Sequence, residues 1–158
     1  FAGVCNYNAQ QMAEAEKTLS LVSNQIPFSM VNRGIEEETV PYCIEHNKSI
    51  LAYSPLERGL LTGKITTDYK FQEGDHRAKL PHFQPEFIEK TNQLLDKIKS
   101  IAENHNASLG QLVLRWTIER PGITIALAGA RNAEQAVQNA KAIDIHLKIF
   151  DAMQRYHY

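Results

Sequence analysis

Amide, aromatic and guanidinium side chains stand where short apolar runs give way to polar residues, at Cys5-Asn6, Gln25, Tyr53-Ser54 and Gly129-Ala130-Arg131. An Asn or Gln amide carries donor and acceptor together and so matches another carboxamide. A Tyr at such a point can lay its flat ring on a planar heterocycle. Arg131, directly ahead of a helix start, sets a guanidinium beside backbone N–H groups that lack intrahelical partners, a favourable place for a phosphate. Each residue taken singly has a plainer reading: an Asn after a strand commonly serves the turn, and a lone Arg is commonly solvated.

The sequence carries no GxGxxG after its first apolar run, no GxxxxGK[ST] and no HExxH, so the usual phosphate-loop and zinc-hydrolase readings lose ground. Its six His residues fall mostly in polar helix ends or loops. The two cysteines, Cys5 and Cys43, lie far apart and outside any CxxC pattern, so neither a disulfide framework nor a zinc site is expected, and a reducing cytoplasm is. A chain of 158 residues, 43% hydrophobic and 22% charged, suits an ordinary globular domain. Its net charge of −1 comes with scattered Lys and Arg, which argues against a nucleic-acid or anionic-membrane partner. No apolar run has membrane-spanning length. The opening Phe1-Ala2-Gly3-Val4-Cys5 reads as a strand already in progress, and a missing upstream segment is expected.

The elements that must position these residues alternate. Phe1 to Cys5 is the first strand; Asn8 caps a helix with Met12, Ala15, Leu19 and Val22 at helical spacing. Gln25 to Met30 is a second strand, followed by a helix with Glu36, Glu37 and Glu38 at its amino end and Val40, Cys43 and Ile44 facing inward. Ser49 to Ser54 is the strongest strand, and residues 57 to 85 form a long connection of functional length. Two helices follow, one from Pro85 to Asn104 and one capped by Ser108. Ile123 to Leu127 is the fourth strand, and Asn132 caps a last helix to about Ala142. The tail 148–158 has no clear period. Strand–helix alternation predicts an α/β fold with parallel strands, either an open doubly wound sheet or half of an eight-unit barrel.

The order of motifs separates the two. Gly3-Val4-Cys5-Asn6-Tyr7, Asn24-Gln25, Ala52-Tyr53-Ser54-Pro55-Leu56, Gly59-Leu60-Leu61-Thr62-Gly63-Lys64, Gln111-Leu112-x-Leu114-Arg115-Trp116 and Gly129-Ala130-Arg131-Asn132-x-x-Gln135-x-x-x-Asn139 together resemble the aldo-keto reductases. The resemblance is nearest to the branch with the potassium-channel beta subunits and related bacterial oxidoreductases, and it runs from residue 1 to about 147. It implies the fifth to eighth units of a TIM (β/α)8 barrel, with 148–158 a divergent tail, and NADP(H) as cofactor. By position, Cys5, Asn6 and Gln25 would hold the nicotinamide carboxamide and Tyr53 would stack on its ring. Ser54, Leu56, Arg58, Gly59 and Lys64 would line the pyrophosphate, with Arg77 joining from the long loop. Arg131 and Gln135, after Gly129, would contact the 2′-phosphate region, and Gln138 and Asn139 the adenine. Cys5 stands where the family usually has Ser, and Ala128 where it commonly has Pro.

The family's catalytic Asp, Tyr, Lys and His belong to the first four units, so no catalytic residue is assigned here and Tyr53 is a stacking residue. The resemblance implies the cofactor-binding half of an NADPH-dependent reductase of aldehydes or ketones, inactive by itself. The alternatives are an NADPH-binding regulatory subunit without turnover, or a truncated product without activity. Four units alone leave two strand edges and an apolar layer open, so a complementary half or self-association is expected.

Overall fold

The computed structural model describes residues 1–147. Four strands form one sheet in the order β1 (Ala2–Cys5), β2 (Leu21–Pro27), β3 (Ser49–Tyr53) and β4 (Ile123–Leu127), every neighbouring pair parallel. The helices are α1 (Ala9–Ala15), α2 (Thr39–Glu45), α3 (Pro85–Asn104), α4 (Leu109–Glu119) and α5 (Ala133–Ala140). Alternating side chains give each strand two faces. Asn24, Ile26, Ile50, Ala52 and Ile123 are buried, and all but Asn24 belong to a core shared with Met12 of α1, Val40 and Cys43 of α2, and Leu112, Val113 and Trp116 of α4. The opposite face carries Cys5, Gln25, Leu51 and Ile125 in one register across all four strands. Of these, Cys5, Gln25 and Ile125 are exposed.

A doubly wound sheet reverses its strand order at a switch point and buries both faces. This sheet runs in sequence order and is covered on one face, the arrangement of part of a (β/α) barrel. The long connection after β3 packs its own small core, in which Leu60, Ile65, Phe83 and Ile88 are buried with Phe71 and Leu80 against them.

Several expectations are met closely: α3 runs from Pro85 to Asn104, and β4 from Ile123 to Leu127. Ser108 and Asn132 cap α4 and α5 through their side-chain oxygens. Others are corrected. The helix after Asn8 closes at Ala15; Leu19 is 53% exposed and Val22 already belongs to β2. The helical spacing of those two was fortuitous, because β2 starts at Leu21, four residues before the Gln25 expected. Phe28, Ser29 and Met30 are buried beyond the strand, in a turn closed by the Ser29–Asn32 bridge. Ile44, expected inward, is 52% exposed. Ser54 leaves β3 with φ at 55°. The expectation for the tail 148–158 falls outside the described residues.

Candidate functional site

The residues singled out in the sequence gather along the carboxyl edge of the sheet in two adjoining groups. The first spans β1 to β3. Cys5 and Gln25 are register partners, with Cys5 Sγ 3.9 Å from Gln25 Oε1. Asn6 leaves β1 with φ at 60°, yet its backbone N–H still donates to the Gln25 carbonyl at 2.9 Å. The Tyr53 hydroxyl donates to Asn6 Oδ1 at 3.0 Å, so one hydrogen bond reaches from the end of β3 to the end of β1. Tyr53, Pro27 and Leu127 share a register level on the open face.

The second group lines a groove of about 1060 Å³. Ser54, Leu56, Arg58, Gly59 and Lys64 meet Gly129, Arg131, Gln135, Gln138 and Asn139 across it, and Arg77 reaches it from the loop. Two glycines leave room for close approach: a Cβ on Gly129 would meet nothing within 4 Å, and Gly59, at φ 97°, has its nearest neighbour at 3.9 Å. Among the described residues Arg58, Lys64 and Arg131 form no ion pair, and these three cations line the groove together with Glu134 and the Asp75–Arg77 pair.

The remaining candidates also brace the site. Arg77 is held by Asp75, with Nη2 to Oδ2 at 2.6 Å and Nε to Oδ1 at 3.0 Å, and its Nη1 donates to the Arg58 carbonyl at 3.1 Å. Hydrogen bonds from Arg77 hold the Asp75 carboxyl down at about 2. Gln135 Oε1 accepts the Arg131 N–H at 2.9 Å, and Asn139 Nδ2 donates to the Gly129 carbonyl at 3.1 Å. Gln138 Oε1 accepts from Gln111 Nε2 at 3.0 Å, fastening α5 to the start of α4.

Ser108, Gly110 and Gln111 at the start of α4, Asn132, Glu134 and Asp75 also line the groove and were not among the candidates. The Ser108 cap was legible, but its place beside the groove depends on how α4 packs against α5. The arrangement suits an elongated ligand with a planar polar head at the Asn6–Tyr53 end and anionic groups along the groove. No group of three His, Cys, Asp or Glu residues that could hold a metal occurs among the described residues, and none of their helices is long and apolar enough to cross a membrane.

A model of the aldo/keto reductase family matches residues 2–154. The chain is 32% identical over 150 residues to the NADH-specific methylglyoxal reductase of Escherichia coli, covering 95% of this chain and 45% of that protein. It is 33% identical over 144 residues to the aldo-keto reductase yakc [NADP(+)] of Schizosaccharomyces pombe, covering 90% and 42%. The structure of a glycerol dehydrogenase from Gluconobacter oxydans superposes with a TM-score of 0.86 at 33% identity, over 97% of this chain and 46% of that one. The chain therefore spans less than half the length of the relatives it matches.

Proposed function

The chain belongs to the aldo/keto reductase family, and on that premise we propose that it supplies the dinucleotide-binding edge, the fifth to eighth units, of a reductase that turns aldehydes or ketones into alcohols. The observation that carries this reading is the groove in which Arg58, Lys64 and Arg131, without an ion-pair partner among the described residues, stand beside open backbone at Gly59 and Gly129. That donor set fits a diphosphate with a further phosphate near Arg131.

In this reading Asn6 and Gln25 grip the carboxamide of a nicotinamide, and Tyr53, steadied through its hydroxyl by Asn6, offers its ring as a stacking platform. When bound there, a reduced dinucleotide would supply the hydride for a carbonyl carbon. The residues of this chain orient it and hold its charge; the proton for the forming alkoxide comes from the family's catalytic set, which lies outside this segment. Relatives carry both NADH and NADP(+) in their names. Our choice of NADP(H) rests on Arg131, whose guanidinium suits a 2′-phosphate.

The open face with Cys5, Gln25, Ile125 and Leu127, and the outer edges of β1 and β4, which pair with no other strand among the described residues, support a complementary set of units that completes the barrel. Two free thiols, one of them exposed at Cys5, accord with the cytoplasm as its compartment. The test is carbonyl reduction by the full-length protein, with methylglyoxal as probe substrate and glycerol for the reverse direction, using NADPH and NADH in parallel. Turnover that favours NADPH supports the proposal. Tight binding without turnover would favour a regulatory subunit, and no binding of either dinucleotide overturns it.

A further inference from the structure

Glu57 is a buried carboxylate that the reading above leaves without a role. It sits in the turn after β3 and is not among the residues that line the groove; its carboxylate meets side chains from two other segments. Ser29 Oγ, fully buried beyond the end of β2, donates to Glu57 Oε2 at 3.2 Å. His82 Nδ1 lies 3.4 Å from Glu57 Oε1. His82 belongs to the short turn Pro81–Phe83 at the far end of the long loop, where Phe83 is buried beside Leu60, Ile65 and Ile88.

The backbone at this point is unusual. Glu57, Arg58 and Gly59 are left-handed in succession, with φ of 43°, 52° and 97°. Such a run persists for non-glycine residues only where the surroundings over-determine it. Here the surroundings are the anchored Glu57 side chain on one side and, on the other, the Arg58 carbonyl, which accepts from Arg77 Nη1. Arg77 in turn lies over the rings of Phe71 and Phe83 and is paired with Asp75. Tyr69, Gln72, Asp75 and Arg77 make one wall of the groove. The same loop is thus fastened twice, at Arg77 to the turn's backbone and at His82 to the turn's buried carboxylate.

We propose that Glu57 is a positioning residue whose clasp with Ser29 and His82 holds the loop 66–84 as a wall of the groove and sets how fast a bound dinucleotide leaves. The inference rests on the dinucleotide reading above. A carboxylate that loses this site would free the left-handed turn, remove the Arg58 carbonyl from Arg77 and let the wall swing out. Glu57 touches no reacting group, so its effect falls on release rather than on hydride transfer.

The experiment compares full-length Glu57→Ala, Glu57→Gln, His82→Ala and the double variant Glu57→Ala/His82→Ala with the parent protein. Stopped-flow release of NADPH is expected to quicken about tenfold in each alanine single, the size of one lost polar contact to a buried group. The double variant is expected to release no faster than Glu57→Ala, because both substitutions break one contact. Glu57→Gln, which still accepts from Ser29, is expected to recover most of the slow release. KM for NADPH should rise without a fall in kcat, a split that a merely loosened fold does not produce. Hydrogen exchange of the amides in 66–84, without dinucleotide, should quicken in Glu57→Ala and His82→Ala alike. Unchanged exchange and release in His82→Ala, or effects of the two alanine substitutions that add, would overturn the clasp. Failure of the parent protein to bind NADPH would sink the dinucleotide reading, while the exchange data would still decide whether the clasp holds the loop.

Discussion

Tyr53 and Asn6 are joined across three strands: the phenol of Tyr53 donates to Asn6 Oδ1 at 3.0 Å, while the Asn6 backbone holds a left-handed φ of 60°. Asn serves here twice, as acceptor for the ring that it steadies and as one of the few side chains that tolerate this backbone. Two substitutions separate the roles. Asn6→Gly keeps the backbone and loses the bond, and is expected to weaken dinucleotide binding with little loss of thermal stability. Asn6→Ala adds backbone strain of about 1–2 kcal/mol and should also lower the melting temperature. Calorimetric titration with NADPH alongside thermal unfolding checks both.

Arg131 carries the preference for a phosphorylated dinucleotide in this account. Its guanidinium has no ion-pair partner among the described residues, and its backbone N–H is fixed by Gln135 Oε1 at 2.9 Å. Arg131→Ala should cost about 1.5–3 kcal/mol of NADPH affinity, roughly ten- to a hundredfold, and leave NADH binding little changed. Equal losses for both dinucleotides would place the guanidinium elsewhere.

Tyr42 should titrate above the ordinary tyrosine range. Burial, and then its hydrogen bond to Glu16 Oε2 at 2.8 Å, push its hydroxyl up to about 12. The folded state therefore holds this proton more tightly than the unfolded chain, whose Tyr titrates near 10. The resulting stabilisation is complete below about pH 10 and is lost as pH rises through about 12. Spectrophotometric titration of the parent and Tyr42→Phe proteins should show one phenol missing from the high-pH end in the variant.

Gly122 makes the turn into β4 at φ 80°, and a Cβ there would approach Val40 Cγ1 to 2.8 Å and Ile44 Cδ1 to 3.2 Å. Gly122→Ala is expected to destabilise the protein by about 1–3 kcal/mol, read from denaturant unfolding. Gly34→Ala, with open space around it and an ordinary φ, serves as the control and should change little.

Where local rules sufficed, the fold was legible. Ser108 and Asn132 announce α4 and α5 by capping, and the alternation of strands with helices called for a parallel sheet. The start of β2 was not legible, because Leu19 and Val22 continue a helical spacing by accident after α1 has ended. At the site, Asn6 and Ser54 do lie just past strand ends, while Gln25, expected at one, lies inside β2. The hydrogen-bond partners of the groove residues were not legible: nothing local ties Arg77 to the Arg58 carbonyl, or Gln111 to Gln138. Glu57 was not singled out in the sequence, and packing alone reveals it as a buried carboxylate. Pairings over 19 to 28 residues depend on tertiary contacts that periodicity does not encode.

The central claim is that the Asn6–Tyr53 cluster and the Arg58–Arg131 groove hold one ligand. Titration of isotope-labelled full-length protein with NADPH, followed through the backbone amides, tests it most directly. The account predicts that Asn6, Gln25, Tyr53 and Arg131 all respond along a single binding curve. Responses confined to one of the two groups, or saturating at different concentrations in each, would contradict it.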